Sequence, residues 1–153
     1  MIMDAELSRA RFERDLMPFR SNPAEYQHSG ILLASVGYAS IVVELDWYQQ
    51  AKKLLLKVLA NDWDYRPPMG WWIDCHDTPL LNGIPNGGGF QIASHPHGEN
   101  RAWFCFPGWR EFHDHQSHQL PSWAFLRSTY RLMKLIVQLK ADLNKPGVSL
   151  HAI

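Results

Sequence analysis

Five histidines and a glutamate crowd around one cysteine between residues 95 and 123. The stretch reads HPHGENRAWFCFPGWREFHDHQSHQLPSW. It holds His95, His97, His113, His115 and His118 out of eight histidines, with Glu111 and with Cys105, one of two cysteines. Two chemistries use these residue types at such density. In one, Cys105 is a nucleophile. A free thiol titrates near ~8.5, so only a small fraction is thiolate at neutral pH. Neighbouring imidazoles raise that fraction, and Glu111 can orient one of them. Such a site takes up and releases an acyl group as a thioester. The developing oxyanion needs a donor, worth roughly 10²–10³ in rate, and His97, just upstream of Cys105, is the candidate. In the other chemistry, Cys105, His113, His115 and His118 hold a tetrahedral zinc ion. Their spacing matches no standard finger, and the chain has no CxxC pair. A stand-alone Cys-His-Glu hydrolase is a third use of the same side chains.

These residues need a scaffold, and 153 residues suit one domain, 1–153, with one core. An apolar content of 46% supports a folded chain. Lys+Arg and Asp+Glu both number 15, so no basic excess points to nucleic acid or to an anionic membrane. No run approaches the ~18 apolar residues of a membrane span. The charged N-terminus lacks the apolar region of a secretory signal. A reducing cytoplasm is therefore expected, which keeps Cys105 a thiol. Cys75 follows an apolar run and reads as a buried structural thiol.

Residues 4 to 20 read as an amphipathic helix capped by Asp4, with Leu7, Ala10, Phe12, Leu16 and Phe19 recurring along it. Strand-length apolar runs follow at 30–36, 39–47 and 53–60, and Trp71, Trp72 and Ile73 form a fourth. The third run, KLLLKVLA, is ambiguous between helix and strand by propensity. Pro67-Pro68 forces an extended path. Residues 74–94 are rich in turn formers. The Gly87-Gly88-Gly89 triplet lacks the context of a phosphate loop and reads as a hinge in a flexible loop or lid. Ser122 or Pro121 opens the longest helix, 123–143, which Lys145-Pro146-Gly147 stops. Residues 148–153 read as a flexible tail. The class is α+β: an N-terminal helix, an antiparallel meander of about four strands, an irregular site segment and a long C-terminal helix.

The order of short motifs then carries a resemblance. Tyr65-Arg66-Pro67-Pro68 precedes His95-Pro96, Cys105 follows His95 by ten residues, and Trp123 opens the last helix. This order resembles the ubiquitin-conjugating (E2) superfamily over residues 4 to 143. There a Tyr-Pro…Pro-Pro strand end, a His-Pro-Asn tripeptide, the thioester cysteine and a Trp-led helix follow one another. The set Cys105, Glu111, His113 and His118 resembles the Cys-Glu-His-His signature of the bacterial E2-like branch, as do the long loop before His95 and the shortened C-terminal part. The resemblance implies a UBC-like fold and a Cys105 thioester with a ubiquitin-like protein, received from an E1-like enzyme and passed to a target nucleophile. It implies a bacterial ubiquitin-like conjugation system, antiphage systems among them, and no cofactor. His95 and Pro96 match the tripeptide. His97 stands where the family has its oxyanion-supporting Asn. Glu111 with His113 or His118 is the implied acid–base set. The arginines and Glu13 of the first helix form either an E1-docking face, as that helix does in relatives, or a solvated helix face.

Overall fold

Asp4 starts the first helix as its position predicts. Its Oδ1 accepts the N–H groups of Glu6 at 3.0 Å and Leu7 at 3.1 Å, which would otherwise be orphaned at the helix end. The structure, a computed structural model, describes residues 4–115 and 121–152. Helix α1 spans Ala5–Ser21, and the short α2 spans Pro23–His28. The buried face of α1 is Phe12, Leu16 and Phe19 together with two polar residues, Ser8 and Asp15, while Leu7 is exposed. The polar pair is satisfied from the sheet side. Tyr38 donates to Ser8 Oγ at 2.8 Å, and the Trp63 indole donates to Asp15 at 2.8 Å.

Four strands follow, β1 (Ile31–Gly37), β2 (Ser40–Trp47), β3 (Lys52–Leu59) and β4 (Met69–Ile73), paired antiparallel in chain order. Alternation decides the ambiguous third run. Leu54, Leu56 and Val58 face the core beside Ile41, Val43 and Leu45, a period of two that a helix cannot present on one face. Each of these fully buried side chains contributes about 1.5–3 kcal/mol of transfer free energy.

Helix α1 lies against the last helix, which also packs on β2. The expected continuous helix over 123–143 is corrected to two pieces. If α3 denotes the site helix Arg110–Asp114, these are α4 (Trp123–Leu126) and α5 (Leu132–Leu143), and Arg131 between them has extended backbone. Long-range bonds break the helix. Arg127 reaches Asp64 at 3.3 Å, and the Trp123 indole donates to the Asp64 carbonyl at 2.8 Å. Asp64 also holds Arg11 of α1 at 2.7 Å. The remaining α1 arginines are engaged within the chain as well. Arg14 meets Asp15, Arg20 meets Glu13, and Arg9 lies over Tyr38.

Short strands β5 (Ile84–Asn86), β6 (Phe90–Gln91), β7 (Trp103–Phe104) and β8 (Ser149–His151) complete the fold. The tail expected to be loose from residue 148 instead supplies β8, which pairs antiparallel with β5. The glycine triplet is a packed turn rather than a hinge. Gly87 and Phe90 exchange backbone hydrogen bonds at 2.9 and 3.1 Å. A Cβ on Gly87 would lie 2.6 Å from the Gly147 carbonyl, and one on Gly89 would lie 2.5 Å from the Phe106 ring. Both glycines also have φ near +100°, which L side chains rarely adopt. Cys75 is exposed, not buried, in a turn where Asp74 Oδ1 accepts the N–H groups of His76 and Thr78. Among the described residues, no helix is long and apolar enough to cross a membrane.

Candidate functional site around Cys105

The site is built on the β6–β7 hairpin. Phe90 pairs with Phe104 and Gln91 with Trp103, and the Cys105 N–H continues the ladder by donating to the Gly89 carbonyl at 2.8 Å. Phe104 enters the core against Trp72, Phe90 and Trp109. Strand alternation then turns Trp103 and Cys105 to the opposite side. Trp103 carries the imidazoles on that side. The His95 ring lies 6.3 Å from it, and the His115 ring stacks on it at 5.9 Å.

Cys105 is half-buried, and burial pushes its thiol above the usual thiol range. Desolvation penalises the thiolate, and no cation or hydrogen-bond donor among the described residues offsets it. Burial thus favours the neutral thiol over the thiolate.

His95 and Glu111 form the interior of the site, and both side chains are fully buried. Arg101 Nη2 donates to Glu111 Oε1 at 2.9 Å, and His95 Nε2 approaches the same oxygen at 3.4 Å. The second oxygen, Oε2, has no hydrogen-bond partner among the described residues. Arg101 also donates from Nε to Glu99 at 2.5 Å and lies over the Trp71 ring at 4.4 Å. One cation therefore ties the loop before β7, strand β4 and α3 together. The His95 tautomer follows from its bonds. Its Nδ1 accepts the His97 backbone N–H at 3.0 Å, so the ring proton sits on Nε2 and points at Glu111. The His95-Pro96-His97 tripeptide is thereby closed on itself.

His113 serves the turn after the cysteine. Its Nε2 accepts the Gly108 N–H at 2.9 Å. Its proton is then on Nδ1, which is buried without a hydrogen-bond partner among the described residues. Burial lowers its pKa below the ordinary histidine value, and Asp114 opposes that shift. His97 differs. It is exposed, and its Nε2 meets Asp114 Oδ2 at 2.8 Å. His118 lies outside the described residues.

Arg110 anchors α3 to the strand-end prolines that the sequence singled out. Its backbone N–H donates to the Pro68 carbonyl at 2.8 Å, and its Nε donates to the Pro67 carbonyl at 2.9 Å. Burial, with Arg66 adding to it, pushes this guanidinium down to about 10.

The sequence-selected residues thus gather on one hairpin and one short helix, but with unequal partners. His95, Glu111 and Arg101 are mutually bonded, His113 is bonded to Gly108, and no hydrogen bond joins Cys105 to Glu111 or His113. Among the described residues, no three or more His, Cys, Asp or Glu side chains are gathered as metal ligands would be. Glu99, Arg101 and Asp114 were not singled out from the sequence. Their signal was present as a Glu-x-Arg pair beside the His-Pro-His tripeptide and an Asp between His113 and His115. The chain matches no protein-family model and no curated protein.

Proposed function

We propose that the chain is an E2-like conjugating protein of a bacterial ubiquitin-like system. Cys105 accepts the C-terminus of a ubiquitin-like protein from an E1-like enzyme as a thioester and passes it to a target nucleophile. The observation that carries this reading is one hairpin holding both the closed His95-Pro96-His97 loop and, immediately after β7, the half-buried Cys105. The sequential four-stranded meander after an N-terminal helix, and the docking of α3 on Pro67-Pro68, support it further.

The chemistry suits a neutral resting thiol. Thioester and thiol are close in free energy, so transthiolation needs alignment and a thiolate at the moment of transfer, not a permanently ionised sulfur. A desolvated thiol resists stray oxidation and alkylation until a partner docks. In this reading Glu111 and His113 hold the Cys105 loop in shape through Arg101 and Gly108, and no bound cofactor is required.

The test is charging. The chain is incubated with ATP and the ubiquitin-like and E1-like proteins encoded beside its gene, then resolved without reductant. The expected result is an adduct that added thiol removes and that Cys105→Ala abolishes. An adduct that survives Cys105→Ala would sink the assignment.

A further inference from the structure

We propose that His97, oriented by Asp114, is the group that takes the proton from a primary amine attacking a thioester on Cys105. This inference rests on the conjugating function proposed above. It assigns the proton transfer of that reaction to a pair the resemblance does not nominate.

The assignment follows from where the lone pairs point. A proton acceptor needs an exposed lone pair that no other group already uses. His95 has none, because Nδ1 is taken by the His97 N–H and Nε2 carries the proton facing Glu111. His113 has none, because its acceptor nitrogen is occupied by Gly108 N–H and its other nitrogen is buried. Glu111 is fully buried, with Arg101 on one oxygen. Among the described residues His97 meets the requirement. A carboxylate 2.8 Å from Nε2 demands a proton on that nitrogen, which leaves the lone pair on Nδ1. Both members are partly exposed, at 38% for His97 and 41% for Asp114. Asp114 thus stands to His97 as the orienting acid of a hydrolytic triad stands to its histidine.

The pair also lies beside the hairpin that carries the cysteine. Cys105 directly follows β7, two residues after Trp103. His97 sits in the loop whose His95 ring lies over Trp103, the two imidazoles being 5.4 Å apart. Asp114 closes α3, the helix that starts five residues after Cys105. The charged and titratable groups facing His97 are Asp114, His95 and Glu99, the last held by Arg101. In the step itself the amine nitrogen bonds to the thioester carbonyl carbon as the carbon–sulfur bond breaks. One amine proton passes to His97 Nδ1. The sulfur leaves as thiolate and recovers that proton from the imidazolium, so the products are an amide and the Cys105 thiol.

A chemical probe separates this step from charging. In a Cys75→Ser background the full chain is acylated with an acetyl-Gly-Gly thioester. Discharge to Nα-acetyl-lysine is then followed by intact mass from pH 5.5 to 8.5. The expected rate rises with pH. His97→Gln keeps a donor to Asp114 but lowers the rate by about 10²-fold and leaves only the rise that ionisation of the lysine amine itself produces. Asp114→Asn loses less, and added imidazole restores His97→Ala. Discharge by His97→Gln at the parent rate and profile would overturn the inference while leaving a Cys105 carrier intact. Failure of Cys105 to be acylated in the parent would overturn the proposed function itself, and the inference with it.

Discussion

Replacing Glu111 with methionine tests whether the Arg101–Glu111 contact holds the site together. Met has nearly the same volume, so the change removes charge without opening a cavity. Breaking a buried ion pair by deleting one partner costs about 3–5 kcal/mol when the other charge is left uncompensated. Arg101 keeps Glu99 at 2.5 Å and the Trp71 ring, which places Glu111→Met at the low end of that range. The change also removes Oε2, a buried acceptor without a partner. Such an orphan costs about 1–3 kcal/mol, so its loss returns about 1 kcal/mol and leaves a net destabilisation of about 2 kcal/mol. For a chain of this size that lowers Tm by roughly 4–8 °C. The reverse change is harsher. Arg101→Met leaves a fully buried carboxylate facing, among the described residues, His95 alone at 3.4 Å, and roughly the full 3–5 kcal/mol is expected. Urea titration of both variants with a common slope, or calorimetry, measures the order. If Glu111→Met is the more destabilising of the two, or is neutral, then Arg101 is not the cation that Glu111 compensates, and this account of the site interior fails.

Two further outcomes follow from the same geometry. Burial lowers the His113 pKa, so the unfolded chain binds more protons than the folded one below the ordinary histidine value of 6.5. The resulting stability is complete above pH ~6.5 and falls as the pH drops toward the folded-state pKa. Protonating Nε2 also removes the acceptor of the Gly108 N–H. Urea midpoints between pH 8 and 5 should decline in the parent and flatten in His113→Gln; equal slopes would exclude His113 as their source. The carboxylates of Glu99 and Asp74, held low mainly by Arg101 and by turn N–H groups, act only further down, below about pH 4.5. Iodoacetamide at neutral pH should modify exposed Cys75 well before half-buried, desolvated Cys105, as read by peptide mass mapping. Faster labelling of Cys105 would show that its thiolate is stabilised by something other than the groups described above.

The helix over Ala5–Ser21 and the four strands were legible because their signals are local. Asp4 caps a helix from any tertiary setting, and β3 alternates whatever it packs on. Cys75 misled because an apolar run precedes it, yet the chain turns outward at Asp74, and burial follows position rather than neighbouring hydropathy. The glycine triplet carried the composition of a hinge. Its packing against Gly147 and Phe106 depends on residues 17 or more positions away. The same is true of the interrupted last helix, where propensity favours continuity but Asp64 claims Arg127.

The site divides along the same line. By itself the sequence determined which chemistries were available: one thiol, several imidazoles and a carboxylate at a spacing that resembles a thioester site. Only the tertiary structure decided which lone pairs those groups keep. Glu111 spends its charge on Arg101 and His113 gives its acceptor nitrogen to Gly108. Of His95, His97 and His113, only His97 keeps a partly exposed lone pair that no described residue occupies, with Asp114 behind it. Residue type sets what a side chain can donate or accept, but partners far along the chain, brought close by the β6–β7 hairpin and α3, set what remains free for substrate.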